Sequence, residues 1–119
     1  VLISGYVGNY SDIEEIDLAC ILGNILDNAI EAQQSVKGEK RIELHFLYKN
    51  AARIIVCKNT VGGPVLKNNK DLLSTKDSSE LHGLGHRIVE STVKKYGGIV
   101  DYYEDGEMFG VQILLPIKA

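Results

Sequence analysis

Cysteine is scarce in this chain and forms no framework. Cys20 and Cys57 are the only two, far apart and set among apolar neighbours. That excludes a disulfide scaffold and predicts buried free thiols in a reducing compartment. No apolar run approaches the ~20 residues of a membrane span, and no signal peptide is visible. Basic residues do not cluster, and the formal net charge is -3. A nucleic-acid or anionic-membrane surface is therefore not expected. Repeats and low-complexity segments are also missing. What remains is 119 residues, 45% hydrophobic and 24% charged, the size and make-up of one globular domain covering residues 1–119.

The order of elements follows from periodicity. Residues 1–7 read as a short strand. Ser11 and Glu14 have capping-box spacing, and Asp17 is an equally good N-cap, with Ile16 and Ile21 placed as a hydrophobic staple. A main helix over 17–35 carries Leu18, Leu22, Ile25, Ala29 and Ile30 on one face. Segments 41–48 and 53–58 alternate as strands joined by a turn at Asn50. From Thr60 to His82 the pattern dissolves into Gly, Pro, Asn, Ser and Lys. A connection much longer than the usual ~4–6 residues inside one domain reads as a functional lid, here about 61–82. A second helix over 84–96 turns Ile88, Val89, Val93 and Tyr96 inward and stops at Gly97-Gly98. Two strands with a turn at Asp105-Gly106 close the chain. The resulting expectation is an α+β two-layer sandwich, a mixed, mostly antiparallel sheet with helices on one face.

The first helix has an unusual polar side. In LGNILDNAIEA (residues 22–32), Asn24, Asp27, Asn28 and Glu31 fall three and four apart, within one arc opposite Leu22, Ile25 and Ala29. A stripe selected for solubility would favour Lys, Glu and Gln, which keep helix propensity. The asparagine carbonyl is instead a hard neutral donor atom suited to Mg²⁺, and its NH₂ reaches phosphate oxygens. Mg²⁺ takes few protein oxygens and fills its shell with phosphate and water, so two amides suffice for a Mg-nucleotide. A solvated or interhelical polar face accounts for the stripe equally well.

Further along, His82-Gly83-Leu84-Gly85 stands where the loop enters the second helix, and glycines there admit an anion to backbone N–H groups at a helix N-terminus. Ser74, Thr75 and Lys76 add hydroxyls and a cation upstream, and Lys76 is placed to close over a polyphosphate. Asn59 follows the alternating strand Ile55-Cys57, where a short polar side chain can read a base edge, and Gly63 lets the chain pass close to a ring. A plain turn, a solvated lysine and a turn-forming asparagine are the competing readings of these three features.

Taken in order, these stretches resemble a known set. LGNILDNAIEA resembles the N box of the GHKL, or Bergerat-fold, ATP-binding domains in the form found in sensor histidine kinases. RIIVCKNTVGG is similar to the first glycine box, STKDSSELHGLGHRIVESTVKKYGG to the lid, second glycine box and following helix, and FGVQILLP to the terminal strand. The resemblance covers roughly residues 17–116. In subtype it looks like the peptide-responsive kinases of the accessory-gene-regulator kind. It implies ATP and Mg²⁺ as ligands. Asn24 would coordinate the metal and Asn28 support metal and phosphates. Asn59 would face the adenine amino group, and Gly63 would shape the base pocket. Gly83 and Gly85 would approach the phosphates, with Thr75, Lys76 and His82 as lid contacts. Departures are Asn59 in place of a carboxylate, Val61 in place of the box's first glycine, His86 in place of leucine, and Glu31 in place of a basic residue. They predict weaker hold on the base.

Two absences carry information within that resemblance. Hydrolytic members have a general-base Glu one turn before the metal-binding Asn, and that position here is Cys20, which cannot activate water as a carboxylate does. Transfer of the γ-phosphoryl to an external acceptor is therefore expected over hydrolysis. The acceptor is also missing, because none of His45, His82 and His86 lies in a two-helix hairpin. The resemblance implies that a phosphoacceptor hairpin and a membrane-embedded sensor precede Val1, with this domain in the cytoplasm, out of contact with the membrane, and a response regulator downstream. A degenerate nucleotide-binding or pseudokinase interaction module, a hydrolytic ATPase of the same superfamily, and a zinc site using His82, His86 and the cysteines are the alternatives.

Overall fold

The computed structural model describes residues 2–5, 8–61 and 80–117, without the side chains of residues 35 and 80–86. In chain order the elements are β1 (Leu2–Gly5), α1 (Glu15–Ala32), a 3₁₀ turn (Gln33–Ser35), β2 (Ile42–Lys49), β3 (Ala52–Thr60), α2 (Glu80–Lys95), β4 (Ile99–Asp105) and β5 (Met108–Pro116). The strands form one sheet in the order β1-β2-β3-β5-β4. β1 runs parallel to β2, because α1 crosses between them, and the other pairings are antiparallel. Both helices lie on one face, as the sequence predicts.

Alternation builds the core. Ile42, Leu44 and Phe46 of β2 face the same way as Ile55 and Cys57 of β3 and Val111, Ile113 and Leu115 of β5. Ile21, Ile25 and Ala29 of α1 and Val89 and Val93 of α2 close over them. Burial pushes the Cys57 thiol up to about 11, so it serves as a small core hydrophobe. Cys20 is only half-buried, which corrects the expectation of two buried thiols.

Both hairpins are tight. Asn50 and Ala51 carry φ of 51° and 58°, the left-handed pair that a two-residue turn needs to match strand twist. Alanine is strained there, so Ala51→Gly should raise unfolding free energy by about 0.5–1 kcal/mol, net of the extra entropy of glycine in the unfolded chain. A urea titration checks this. The second turn sits one residue later than expected. Asp105 pairs with Met108, leaving Gly106 and Glu107 between them, because Gly106 takes the positive φ of 63°.

The ends of the helices differ from expectation in informative ways. α2 stops at Gly97-Gly98 as predicted. Gly98 N–H donates to Val93 O at 3.0 Å, Gly97 N–H donates to Lys94 O at 2.9 Å, and Gly97 has φ 75°. A Cβ on Gly98 would fall 2.3 Å from Leu114 O. α1 starts two residues early, with Glu14 as its extended N-cap residue. Neither Ser11 nor Asp17 caps it. Ser11 N–H donates to Asn9 Oδ1 at 2.8 Å in a local turn. Ile16 is 74% exposed, so no staple forms, and Ile30, expected inside, is 53% exposed.

Asp17 is used elsewhere. It accepts from Lys95 Nζ at 2.8 Å and from the Tyr96 hydroxyl, tying the start of α1 to the end of α2. The hydrogen bond from Lys95, then that from Tyr96, holds its carboxyl below the usual carboxylate range. A depressed folded-state pKa stabilises above the unfolded value of about 3.9 and loses that contribution as pH falls through the folded value. Urea midpoints measured down the acid limb should therefore fall less steeply in Asp17→Asn than in the unchanged chain.

Candidate nucleotide site

Three elements converge at one end of the sandwich. The Asp17–Lys95 pair makes α1 and α2 antiparallel. Counting back from it at the equal rise of about 1.5 Å per residue, Gly85 falls level with Asp27 and His82 with Ile30. At the same end, Gln33 Nε2 bonds Thr60 Oγ1 at 3.0 Å, which brings the last turn of α1 to the end of β3. The polar stripe of α1, the first turns of α2 and the strand end carrying Asn59 thus share one side and one end of the fold.

Asn24 and Asn28 sit one turn apart, each half-exposed beside the buried Ile21 and Ile25. Asn24 Nδ2 donates to Cys20 O at 2.7 Å and lies 3.5 Å from Cys20 Sγ. Because its NH₂ is used on its own helix, its carbonyl oxygen is, among the described residues, the end left for a ligand, the end that suits a hard cation. Cys20 therefore orients the asparagine through backbone and sulfur, at the position where a hydrolase would need a carboxylate.

Asn59 shares the register face of Ile55 and Cys57, toward the helices, and is only 4% exposed. Its Nδ2 donates to Thr60 O at 3.0 Å, which among the described residues again leaves the carbonyl as the available acceptor. A buried polar side chain at the edge of an apolar core fits a base-reading group better than a turn-forming one.

The backbone of His82, Gly83 and Gly85 is helical, since α2 begins at Glu80. This corrects the expected start near residue 84. Leu81, Leu84 and Ile88 recur at three and four, so the helical spacing continues through the glycines. Gly83 belongs to the first turn of the helix, where backbone N–H groups lack intrahelical partners, whereas Gly85 lies in the second turn, where helical geometry directs its N–H to Leu81 O. Gly63, Thr75 and Lys76 lie outside the described residues, as does the expected lid apart from Val61 and Glu80–His82.

A second polar region among the described residues is more acidic. A groove of ≈ 650 Å³ near the β4–β5 turn is lined by Arg41, Glu43, Lys58 and Asp105. Two of its three cations are already paired, Arg41 with Glu43 at 3.0 Å and Lys58 with Asp105 at 3.0 Å, and the third is Lys37 at its rim. His45 bonds Glu43 at 3.0 Å from a β2 position alternating with the buried Leu44 and Phe46, on the face away from the helices. Sequence reasoning missed Gln33 and Thr60. Nothing in their spacing announces a bond between residues 27 positions apart.

The sequence profile of the GHKL domain matches residues 13–116. The chain belongs to the GHKL domain family. This GHKL domain is 30% identical over 111 residues to the sensor histidine kinase DpiB of Escherichia coli (strain K12), covering 85% of the chain and 20% of DpiB. It superposes on the catalytic domain of histidine kinase ThkA in a nucleotide-free form with a TM-score of 0.72 at 18% identity, covering 87% of the chain and 69% of that structure. For the blue-light activated histidine kinase of Erythrobacter litoralis the TM-score is 0.71 at 16% identity, over 98% of this chain and 35% of that one. For histidine kinase AdeS of Acinetobacter baumannii it is 0.70 at 15%, over 99% and 55%. The chain thus spans a fifth of the length of DpiB, and its fold is that of histidine-kinase catalytic domains.

Proposed function

We propose that this GHKL domain is the ATP-binding catalytic domain of a bacterial two-component sensor histidine kinase. It binds Mg-ATP and presents the γ-phosphoryl to a histidine on a separate helical-hairpin domain of the parent kinase. That parent is membrane-anchored with this domain in the cytoplasm, and a response regulator acts downstream. The observation that carries the reading is the Asn24 amide, its NH₂ held by Cys20 and its carbonyl left for a metal. Asn24 would hold the Mg²⁺, with Asn28 supporting metal and phosphates. When bound, Mg²⁺ supplies charge neutralisation on the phosphates. Asn59 accepts from the adenine amino group beside Gly63. Gly83 offers its backbone N–H to the phosphates, Gly85 lets the helix approach them closely, Thr75 and Lys76 close from the lid, and His82 is a contact from the first turn of α2. With Cys20 one turn before Asn24, no carboxylate stands there to activate water.

Calorimetry with ATP and ADP, with and without Mg²⁺, is the first test. Binding strengthened by Mg²⁺, little phosphate release, and transfer of label from ATP to an added hairpin domain are expected. Undetectable affinity at millimolar nucleotide replaces this reading with a non-enzymatic interaction module. Phosphate release well above background and unchanged in Cys20→Ala replaces it with a hydrolase. Asn59→Ala should weaken ATP by about 1–2 kcal/mol, the cost of one unmade hydrogen bond. The same calorimetry reads it, and Asn59→Asp should tighten ATP by restoring a charged acceptor.

A further inference from the structure

We infer that Gln33 is a positioning residue that sets base selectivity, by clamping the strand end whose carbonyl orients Asn59. The inference rests on Asn59 being the base reader. Gln33 is 9% exposed and is the C-cap residue of α1. Its Nε2 donates to Arg41 O at 2.6 Å and to Thr60 Oγ1 at 3.0 Å. Arg41 N–H also donates to Thr60 Oγ1 at 3.1 Å, and Thr60 N–H returns to Arg41 O at 3.0 Å. Both acceptor positions of the Thr60 hydroxyl are thereby filled. On the next residue, Val61 N–H donates to Glu107 O at 3.0 Å. Thr60 is held through its side chain and backbone, and its carbonyl takes the Asn59 NH₂ at 3.0 Å.

The consequence is directional. An asparagine amide can accept from an amino group or, turned over, donate to a carbonyl oxygen. The first suits a 6-amino purine and the second a 6-oxo purine. A carboxylate at this position needs no such guide, because it only accepts. With asparagine, selectivity depends on which way the amide faces, and Thr60 O decides that.

The test is calorimetry of ATP and GTP, each with and without Mg²⁺, on Gln33→Leu, Thr60→Val and Thr60→Ser of the 119-residue chain. Gln33→Leu and Thr60→Val should each lower the ATP-to-GTP affinity ratio by about fivefold to tenfold, the scale of one hydrogen bond. The gain in affinity from Mg²⁺ should stay unchanged, since Asn24 and Asn28 are untouched. Thr60→Ser keeps the hydroxyl and should keep the ratio. ATP and GTP weakening by the same factor, or an unchanged ratio in folded variants, overturns the inference while leaving nucleotide binding standing. If Gln33→Leu does not fold, the Thr60 pair decides alone. Failure of the unchanged chain to bind any nucleotide overturns this inference together with the proposed function.

Discussion

Asn24→Ala is expected to weaken Mg-dependent ATP binding by about a hundredfold, near the upper end of the ~1.5–3 kcal/mol that a bond to a charged group contributes. Binding without Mg²⁺ should change far less. The fold should not suffer. The described bonds of the Asn24 side chain go to its own helix, at Cys20, and the residue flanks the core without entering it. Alanine is the better helix former by a few tenths of a kcal/mol, so the urea midpoint should hold or rise slightly. A variant that loses binding and stability together would mean that the stripe on α1 is a structural polar face. Undiminished Mg-dependent binding would remove Asn24 as the metal-holding residue.

That stripe was legible because it depends on the helical period and on the chemistry of the amide, both local. The alternation of Ile55 and Cys57 that leads up to Asn59 and the Gly97-Gly98 stop were legible for the same reason. The reversed features are long-range. Asp17 has every local qualification for an N-cap, but Lys95 and Tyr96, 78 and 79 residues away, claim its carboxylate. Ile16 and Ile30 look like core residues until the crossing of α1 on the sheet decides which side is covered. The link from Gln33 to Thr60 exists only because the 3₁₀ turn after α1 returns the chain to the end of β3. Local pattern gave the candidate ligands, and tertiary pairing decides how each one is held.

The largest stability effect is expected at the other end of the sandwich. Arg53, the second residue of β3, lies on its core face and is 1% exposed. Its guanidinium uses all its donors. Two bonds go to the Asp12 carboxylate, one of them 2.8 Å long. The others go to Asn9 O at 3.2 Å, Pro116 O at 2.8 Å and Leu115 O at 3.4 Å. Tyr10 lies against it, 5.0 Å from guanidinium carbon to ring centre. The hydrogen bond from Arg53 to Asp12 is the main reason that the arginine is held even more firmly protonated than usual. The pair seats the segment before α1 on the sheet, so Arg53→Leu should lower unfolding free energy by about 3 kcal/mol, the low end for breaking a buried ion pair, because Asp12 keeps some solvent. Asp12→Asn should cost less, since the amide oxygen still accepts one of the two bonds, and a double-mutant cycle should show coupling between the sites. Arg53 lies six strand positions from Asn59, about 20 Å at the usual rise. ATP affinity of the folded Arg53→Leu fraction should therefore match that of the unchanged chain. A loss below about 1 kcal/mol would mean that water satisfies the orphaned carbonyls and the strut is dispensable. A loss of nucleotide affinity instead would mean that seating of the segment before α1 is felt along the whole length of the helix.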